Sequence, residues 1–170
     1  MALEKLNGIE PLYFKMTDLW KRFCELHFDL YELTCDEYKC LIESKIPELE
    51  DIVKSKEAVI KKIQQLDSLR QKLMKKINLS FFKNEKIKSA KDLISIFNDF
   101  DIKSGSRNLS KYNVLLKQMI EKIAIQNKRN LLFLNKAMNA INPIIKKNRE
   151  ILGKKTFNTY TPKGEVRQSP

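Results

Sequence analysis

The stretch LYFKMTDLWKRFCELHFDLYEL, residues 12–33, decides the fold. Its apolar side chains recur at alternating steps of four and three residues. They are Leu12, Met16, Leu19, Phe23, Leu26, Leu30 and Leu33. This is the a/d spacing of a helix that packs lengthwise against another helix. It predicts a helix over about residues 10–43.

A second seam of the same kind follows and predicts a helix over about residues 45–78. Seven of its nine a/d positions, from Leu49 to Ile77, are apolar. Ser44 is a suitable cap for this helix, and Pro47 is tolerated in a first turn. Two helices of similar length with a short break between them predict an antiparallel hairpin. One continuous rod through residues 44–47 is the alternative, because a proline in the first turn does not by itself reverse the chain.

The rest of the chain predicts a short helix and a third long one. Ser89 is a suitable cap for a short helix over about 90–97. The composition of residues 98–108 predicts a loop, in which Asp101 belongs to a solvated turn. A long helix follows over about 109–152, with a change of apolar phase at 126–130 and a kink at Pro143. The fold prediction is all-α: a long antiparallel hairpin plus a third long helix. It forms one coiled-coil-like domain over 1–155, with a mobile tail over 156–170.

Composition and charge narrow the class of protein. The 170 residues include only 4 Gly and 5 Pro, which argues against a turn-rich β-sandwich. No stretch is apolar for the roughly 20 residues of a membrane span, so we expect no stable membrane insertion. Three cysteines and the lack of a secretory signal predict a cytoplasmic location. The formal net charge of +12 leaves a basic helical nucleic-acid-binding protein as one alternative, although no nucleic-acid motif accompanies it.

Candidate sites for chemistry are weak. Cys24, His27, Cys35 and Cys40 could in principle hold zinc, but Cys24 and His27 fall inside an unbroken helical seam rather than around a tight turn. No phosphate loop, nucleophile elbow or catalytic triad is recognisable. We therefore predict neither an enzyme nor a cofactor or metal. A self-assembling coiled-coil scaffold is a second alternative.

The most informative feature is an apolar stripe late in the third long helix. It comprises Leu131, Leu134, Met138, Ile141 and Ile145. The apolar positions of the third helix move to a different face at 126–130. A two-helix hairpin therefore cannot cover them along the whole helix. Part of the stripe therefore turns away from the hairpin or binds a partner, as an amphipathic helix does in a groove or bundle.

Three stretches resemble the FlgN family of flagellar export chaperones. They are the seam of residues 49–66 with its Lys56-Glu57 pair, the run NLLFLNKA at 130–137, and Thr159-Tyr160 followed by Gly164. Their order in one short chain makes the resemblance more specific than any of them alone. The net charge of +12 departs from the acidic character of many such chaperones.

The resemblance implies a cytoplasmic chaperone for hook–filament junction proteins. Such a chaperone prevents premature assembly of its clients and delivers them to the flagellar type III export gate. The residues implied to bind the client are Asn130, Leu131, Leu134, Met138, Ile141 and Ile145. The residues implied to dock at the export gate are Tyr160 and Gly164. Nucleic acid is not an expected partner, and a homodimer of the free protein is left open.

Overall fold

The computed structural model describes the backbone of residues 2–81, 89–103, 108–153, 159–160 and 166–167. Four helices account for nearly all of it, as the all-α prediction required. They are α1, Ala2–Glu43; α2, Ile46–Phe81; α3, Ala90–Lys103; and α4, Asn108–Gly153. Two short strands follow: β1, Thr159–Tyr160, and β2, Val166–Arg167.

Helix α1 begins at Ala2, eight residues before the predicted start, with Pro11 in its interior. Proline lacks the N–H that would donate to the carbonyl of Asn7, and its ring crowds that carbonyl. The loss of one hydrogen bond does not end the helix, so the prediction that it starts at about residue 10 was wrong.

The reversal between α1 and α2 depends on Ser44. This residue has a positive φ of 55°, and the backbone N–H of Lys45 donates to the carbonyl of Cys40 at 3.0 Å. A left-handed residue followed by such a bond is a common way to close the C-terminus of a helix. Ser44 therefore ends α1, and the prediction that it caps the second helix was wrong. Pro47 does lie in the first turn of α2, as predicted.

The α1–α2 pair is an antiparallel hairpin, which confirms that prediction over the continuous rod. Near the turn, the Nζ of Lys56 lies 2.7 Å from Oε2 of Glu37. Far from the turn, Leu19 of α1 lines one surface cavity together with Leu69 and Leu73 of α2. Increasing residue numbers in one helix thus meet decreasing numbers in the other.

Helix α4 runs parallel to α1 over residues 108–130. The indole N–H of Trp20 donates to Oδ1 of Asn113 at 3.4 Å, and the amide of Asn130 donates to the carbonyl of Thr34 at 2.9 Å. Residue numbers therefore rise together in the two helices. Both α2 and this part of α4 pack on α1, which gives a three-helix arrangement.

The core of this bundle draws on all four helices. Its buried members are Leu12, Tyr13, Met16, Leu19, Trp20, Phe23, Leu66, Met74, Ile77, Leu93, Phe97 and Leu109. Phe97 of α3 packs edge-on against Tyr13, with ring centroids 5.6 Å apart. Burial of large apolar side chains of this kind stabilises a fold by roughly 1.5–3 kcal/mol each. The short helix thus secures the end of the bundle that holds Tyr13.

Helix α3 extends to Lys103, so the predictions of a short helix ending at about 97 and of a loop over 98–108 were wrong for residues 98–103. Asp101 is only 1% exposed and does not lie in a solvated turn. Its carboxylate accepts from the hydroxyls of Tyr13 and Ser110, both at 2.6 Å. It also accepts from the backbone N–H groups of Leu109 and Ser110, both at 3.0 Å. These two N–H groups belong to the first turn of α4, where no carbonyl within the helix reaches them. Asp101 therefore caps α4 from the preceding helix.

The ionisation of Asp101 fits this role. Burial disfavours the charged carboxylate, but hydrogen bonds from Ser110 and Tyr13 and from the two backbone N–H groups outweigh it. The net effect lowers the pKa of Asp101 below its usual value. The carboxylate is therefore charged at neutral pH and complements the positive end of the α4 dipole.

The chain divides into two compact units, residues 1–130 and 131–170. The second unit holds the last half of α4 and the antiparallel pair β1–β2, in which Thr159 faces Arg167 and Tyr160 faces Val166. The remaining residues of the predicted mobile tail, 156–170, lie outside the described part of the chain. The single helical domain over 1–155 stays a prediction. Among the described helices, none has a stretch apolar and long enough to traverse a bilayer.

Candidate client-binding surface

A polar layer connects α4 to the hairpin at the end of the first unit, around Asn130. The side-chain amide of Asn130 donates to Oε2 of Glu37 at 2.7 Å, besides its bond to Thr34. Gln126 in turn donates to Oδ1 of Asn130 at 2.9 Å. Lys56 completes the layer from α2, because its Nζ contacts Glu37 at 2.7 Å. One acidic group thus connects all three long helices.

This layer explains the polar stretch at 126–130 that interrupts the apolar pattern. Asn130 is 5% exposed, and its polar atoms have partners on two helices. A buried asparagine between packed helices fixes their register at some cost in stability, since any slip leaves the amide unpaired. The structure therefore places Asn130 inside the bundle, apart from the other five residues predicted to contact a client.

Those five residues form an exposed apolar stripe on α4. Leu131, Leu134, Met138, Ile141 and Ile145 are between 41 and 58% exposed. Their spacing equals that of the α1 seam, yet Met16 in that seam is fully buried. The stripe runs for 14 residues, which is about 21 Å at 1.5 Å per residue. It has the pattern of a helix–helix interface without a covering helix among the described residues.

Two isoleucines that the sequence reasoning missed widen this stripe. Ile144 is 60% exposed and Ile151 is 50% exposed. Ile144 stands three residues after Ile141, and Ile151 follows one heptad later, so helical spacing could have found both. Their position beside the stripe makes the apolar face broader than a strict a/d seam.

The residues predicted for docking at the export gate lie in the tail. Tyr160 belongs to β1, where it pairs with Val166 of β2. Gly164 falls outside the described residues. The structure thus gives Tyr160 a defined backbone position in a short antiparallel pair, at a place where the sequence predicted no regular structure.

Cys24 and His27 of α1 each contact a carbonyl group of a helix. Nδ1 of His27 lies 2.7 Å from the carbonyl oxygen of Phe23, a distance at which it donates a hydrogen bond. The thiol of Cys24 donates to the carbonyl of Tyr112, and burial, reinforced by the charge of Glu25, raises its pKa. Within the described ranges, no three His, Cys, Asp or Glu side chains come close enough to share a metal ion.

Comparison with known proteins agrees with the resemblance. The family model described as "FlgN protein" matches residues 12–168, a range that includes the hairpin, the exposed stripe and the tail. No curated protein and no solved structure matches the chain. A match over nearly the whole length does not depend on one heptad seam, which many helical proteins share. The chain therefore belongs to the FlgN family of flagellar chaperones.

Proposed function

We propose that this protein is a cytoplasmic export chaperone for hook–filament junction proteins. It binds an amphipathic helical end of the client through the exposed stripe of α4. By covering that end it prevents premature assembly, and it then delivers the client to the flagellar type III export gate. The observation that supports the proposal most directly is the exposure of Leu131, Leu134, Met138, Ile141 and Ile145 in a chain of the FlgN family.

The physical chemistry of the stripe suits a carrier that must also release its cargo. Complete burial of a large apolar side chain stabilises by roughly 1.5–3 kcal/mol, and these five are about half exposed at the outset. Covering them therefore contributes on the order of 4–7 kcal/mol before the entropic cost of association. An interface of this size gives moderate affinity, and neither catalysis nor a cofactor is required.

The direct test is complex formation with candidate junction proteins. Size-exclusion chromatography with light scattering should show a discrete complex with the wild-type chain. Met138→Asp should abolish it, because a carboxylate at the centre of the stripe would be buried without a partner. Ala140→Asp is the matched control: it adds the same charge at an exposed position about 140° around the helix from the centre line of the stripe, and should keep the complex.

Two results would contradict the proposal. One is the absence of a complex with any junction protein. The other is a complex that Met138→Asp leaves unchanged. Circular dichroism of both variants should match the wild type, because position 138 is exposed in the free protein.

We further propose that the tail acts after client capture, through Tyr160 and Gly164. Tyr160→Ala should leave the client complex intact and weaken binding to the cytoplasmic part of the export gate in a pull-down with purified components. Loss of client binding in this variant would instead assign Tyr160 to client capture.

A further inference from the structure

Charged side chains border the exposed stripe along one of its two edges only. Between residues 131 and 151 the cations are Lys136, Lys146, Lys147 and Arg149, and the only carboxylate is Glu150. All five are exposed, and none of the four cations forms an ion pair with a described carboxylate.

Helical geometry separates these charges into two groups. At about 100° per residue, Arg149 lies about 40° and Lys146 about 100° from the centre line of the stripe. Lys136 and Lys147 lie about 160–180° away, on the opposite face. Glu150 is also directed away from the stripe, by about 140°. The border of the apolar surface therefore carries two cations and no carboxylate.

The same border carries neutral amides before the cations begin. Asn135 and Asn142 lie about 80° and 60° from the centre line, on the side of Lys146. The other border is apolar, with Ile144 and Ile151. Residues that flank the seam of two packed helices set partner choice through charge. A partner with carboxylates along one flank would complement this surface, whereas a basic flank would be repelled.

We propose that the stripe binds an amphipathic helix whose apolar face is bordered by Asp or Glu on the side that meets Lys146 and Arg149. This inference rests on the proposed function and specifies the chemistry of the client's helical end. A nucleic acid would satisfy the two cations but would leave about 21 Å of apolar helix surface uncovered, so the combination of stripe and cations favours an acidic helix.

The test uses the full-length chain and three fluorescein-labelled peptides of 21 residues. Each has Leu at every a and d position, and the e and g positions are all Glu, all Gln or all Lys. Fluorescence anisotropy in 0.1 M NaCl should give the tightest binding for the Glu peptide and the weakest for the Lys peptide. In 1 M NaCl the Debye length falls from about 10 to about 3 Å, so the three affinities should converge.

Two charge-reversal variants locate the effect on the helix. Lys146→Glu with Arg149→Glu should weaken binding of the Glu peptide roughly 3- to 30-fold, as expected for the loss of two exposed ion pairs. Lys136→Glu with Lys147→Glu makes the same change of charge on the opposite face. It should alter the affinity by no more than about twofold.

Several outcomes would overturn the inference. They are equal affinity for the three peptides, equal effects of the two double variants, and tight binding of a 20-base-pair RNA duplex that Met138→Asp does not change. A free protein that is dimeric in light scattering, and becomes monomeric with Met138→Asp, would make a second copy the occupant. If junction proteins bind in a Met138-dependent way while the peptides show no charge preference, only this inference fails. If neither the junction proteins nor the peptides bind, the proposed function fails with it.

Discussion

Replacement of Asp101 by Asn tests how one side chain holds the start of α4. The two carboxylate oxygens divide their donors evenly: Oδ1 accepts from Tyr13 and Leu109, and Oδ2 accepts twice from Ser110. An asparagine has one oxygen and one NH₂ group. Whichever way its amide is turned, one backbone N–H of α4 then faces another donor. The hydroxyl groups can rotate to accept, but a backbone N–H cannot.

The cost follows from these contacts. A buried donor left without an acceptor costs about 1–3 kcal/mol, and hydrogen bonds to a charged acceptor are stronger than those to a neutral one. We therefore expect Asp101→Asn to lower the free energy of unfolding by about 3 kcal/mol at pH 7. For a chain of this length that corresponds to a fall in Tm of roughly 6–12 °C.

The pH dependence gives the experiment a second readout. Because the pKa of Asp101 is lowered in the folded state, its contribution is complete above the unfolded value of about 3.9. It is lost as the pH falls through the folded value. The difference between wild type and Asp101→Asn should therefore be constant near neutral pH and shrink below about pH 4.

Urea unfolding followed by circular dichroism measures this difference at each pH. Asp18→Asn makes the same chemical change at an exposed position of α1 and should shift stability by less than about 0.5 kcal/mol. The reasoning is refuted if Asp101→Asn is as stable as the control at pH 7, or if its deficit does not change with acid.

Two other substitutions test the bundle. Asn130→Ala should lower the free energy of unfolding by roughly 1–3 kcal/mol, because its buried bonds to Thr34 and Glu37 are lost; unchanged urea unfolding would show that the polar layer contributes little. Ser44→Gly should raise it by roughly 0.5–1 kcal/mol, since glycine adopts the positive φ of 55° without a Cβ penalty. Ser44→Val should lower the free energy of unfolding by about 1–2 kcal/mol. A lower melting temperature for Ser44→Gly than for the wild type would contradict the turn geometry.

The architecture was predictable because its signals repeat over many residues. The a/d seams of α1 and α2 each extend over several heptads, and errors at single positions do not change which face is apolar. The hairpin and the third long helix are confirmed for this reason. The stripe of α4 could likewise be identified, since its phase differs from that of the preceding apolar positions.

Features that depend on one side chain meeting a distant segment were not predictable. Asp101 was assigned to a turn by composition, because nothing in the sequence shows that the hydroxyl of Tyr13, 88 positions away, donates to it. Asn130 precedes an apolar run and was assigned with it to the client surface, because nothing in the sequence shows that its partner is Thr34, 96 residues away. Serine is a residue type that commonly caps the start of a helix, but only the backbone conformation of Ser44 shows that it ends the helix before it.

The parallel arrangement of α1 and α4 has a consequence for synthesis. Contacts such as Glu37–Lys56 join residues 19 apart and can form while the chain is still short, whereas Trp20–Asn113 spans 93 residues. Since the N-terminal part of a chain leaves the ribosome first, the hairpin exists before the helix that completes it. Until then the face of α1 around Trp20 is open to other apolar surfaces. Products of interrupted translation would thus be the aggregation-prone form of this protein, because α1 would be exposed without the helix that covers it.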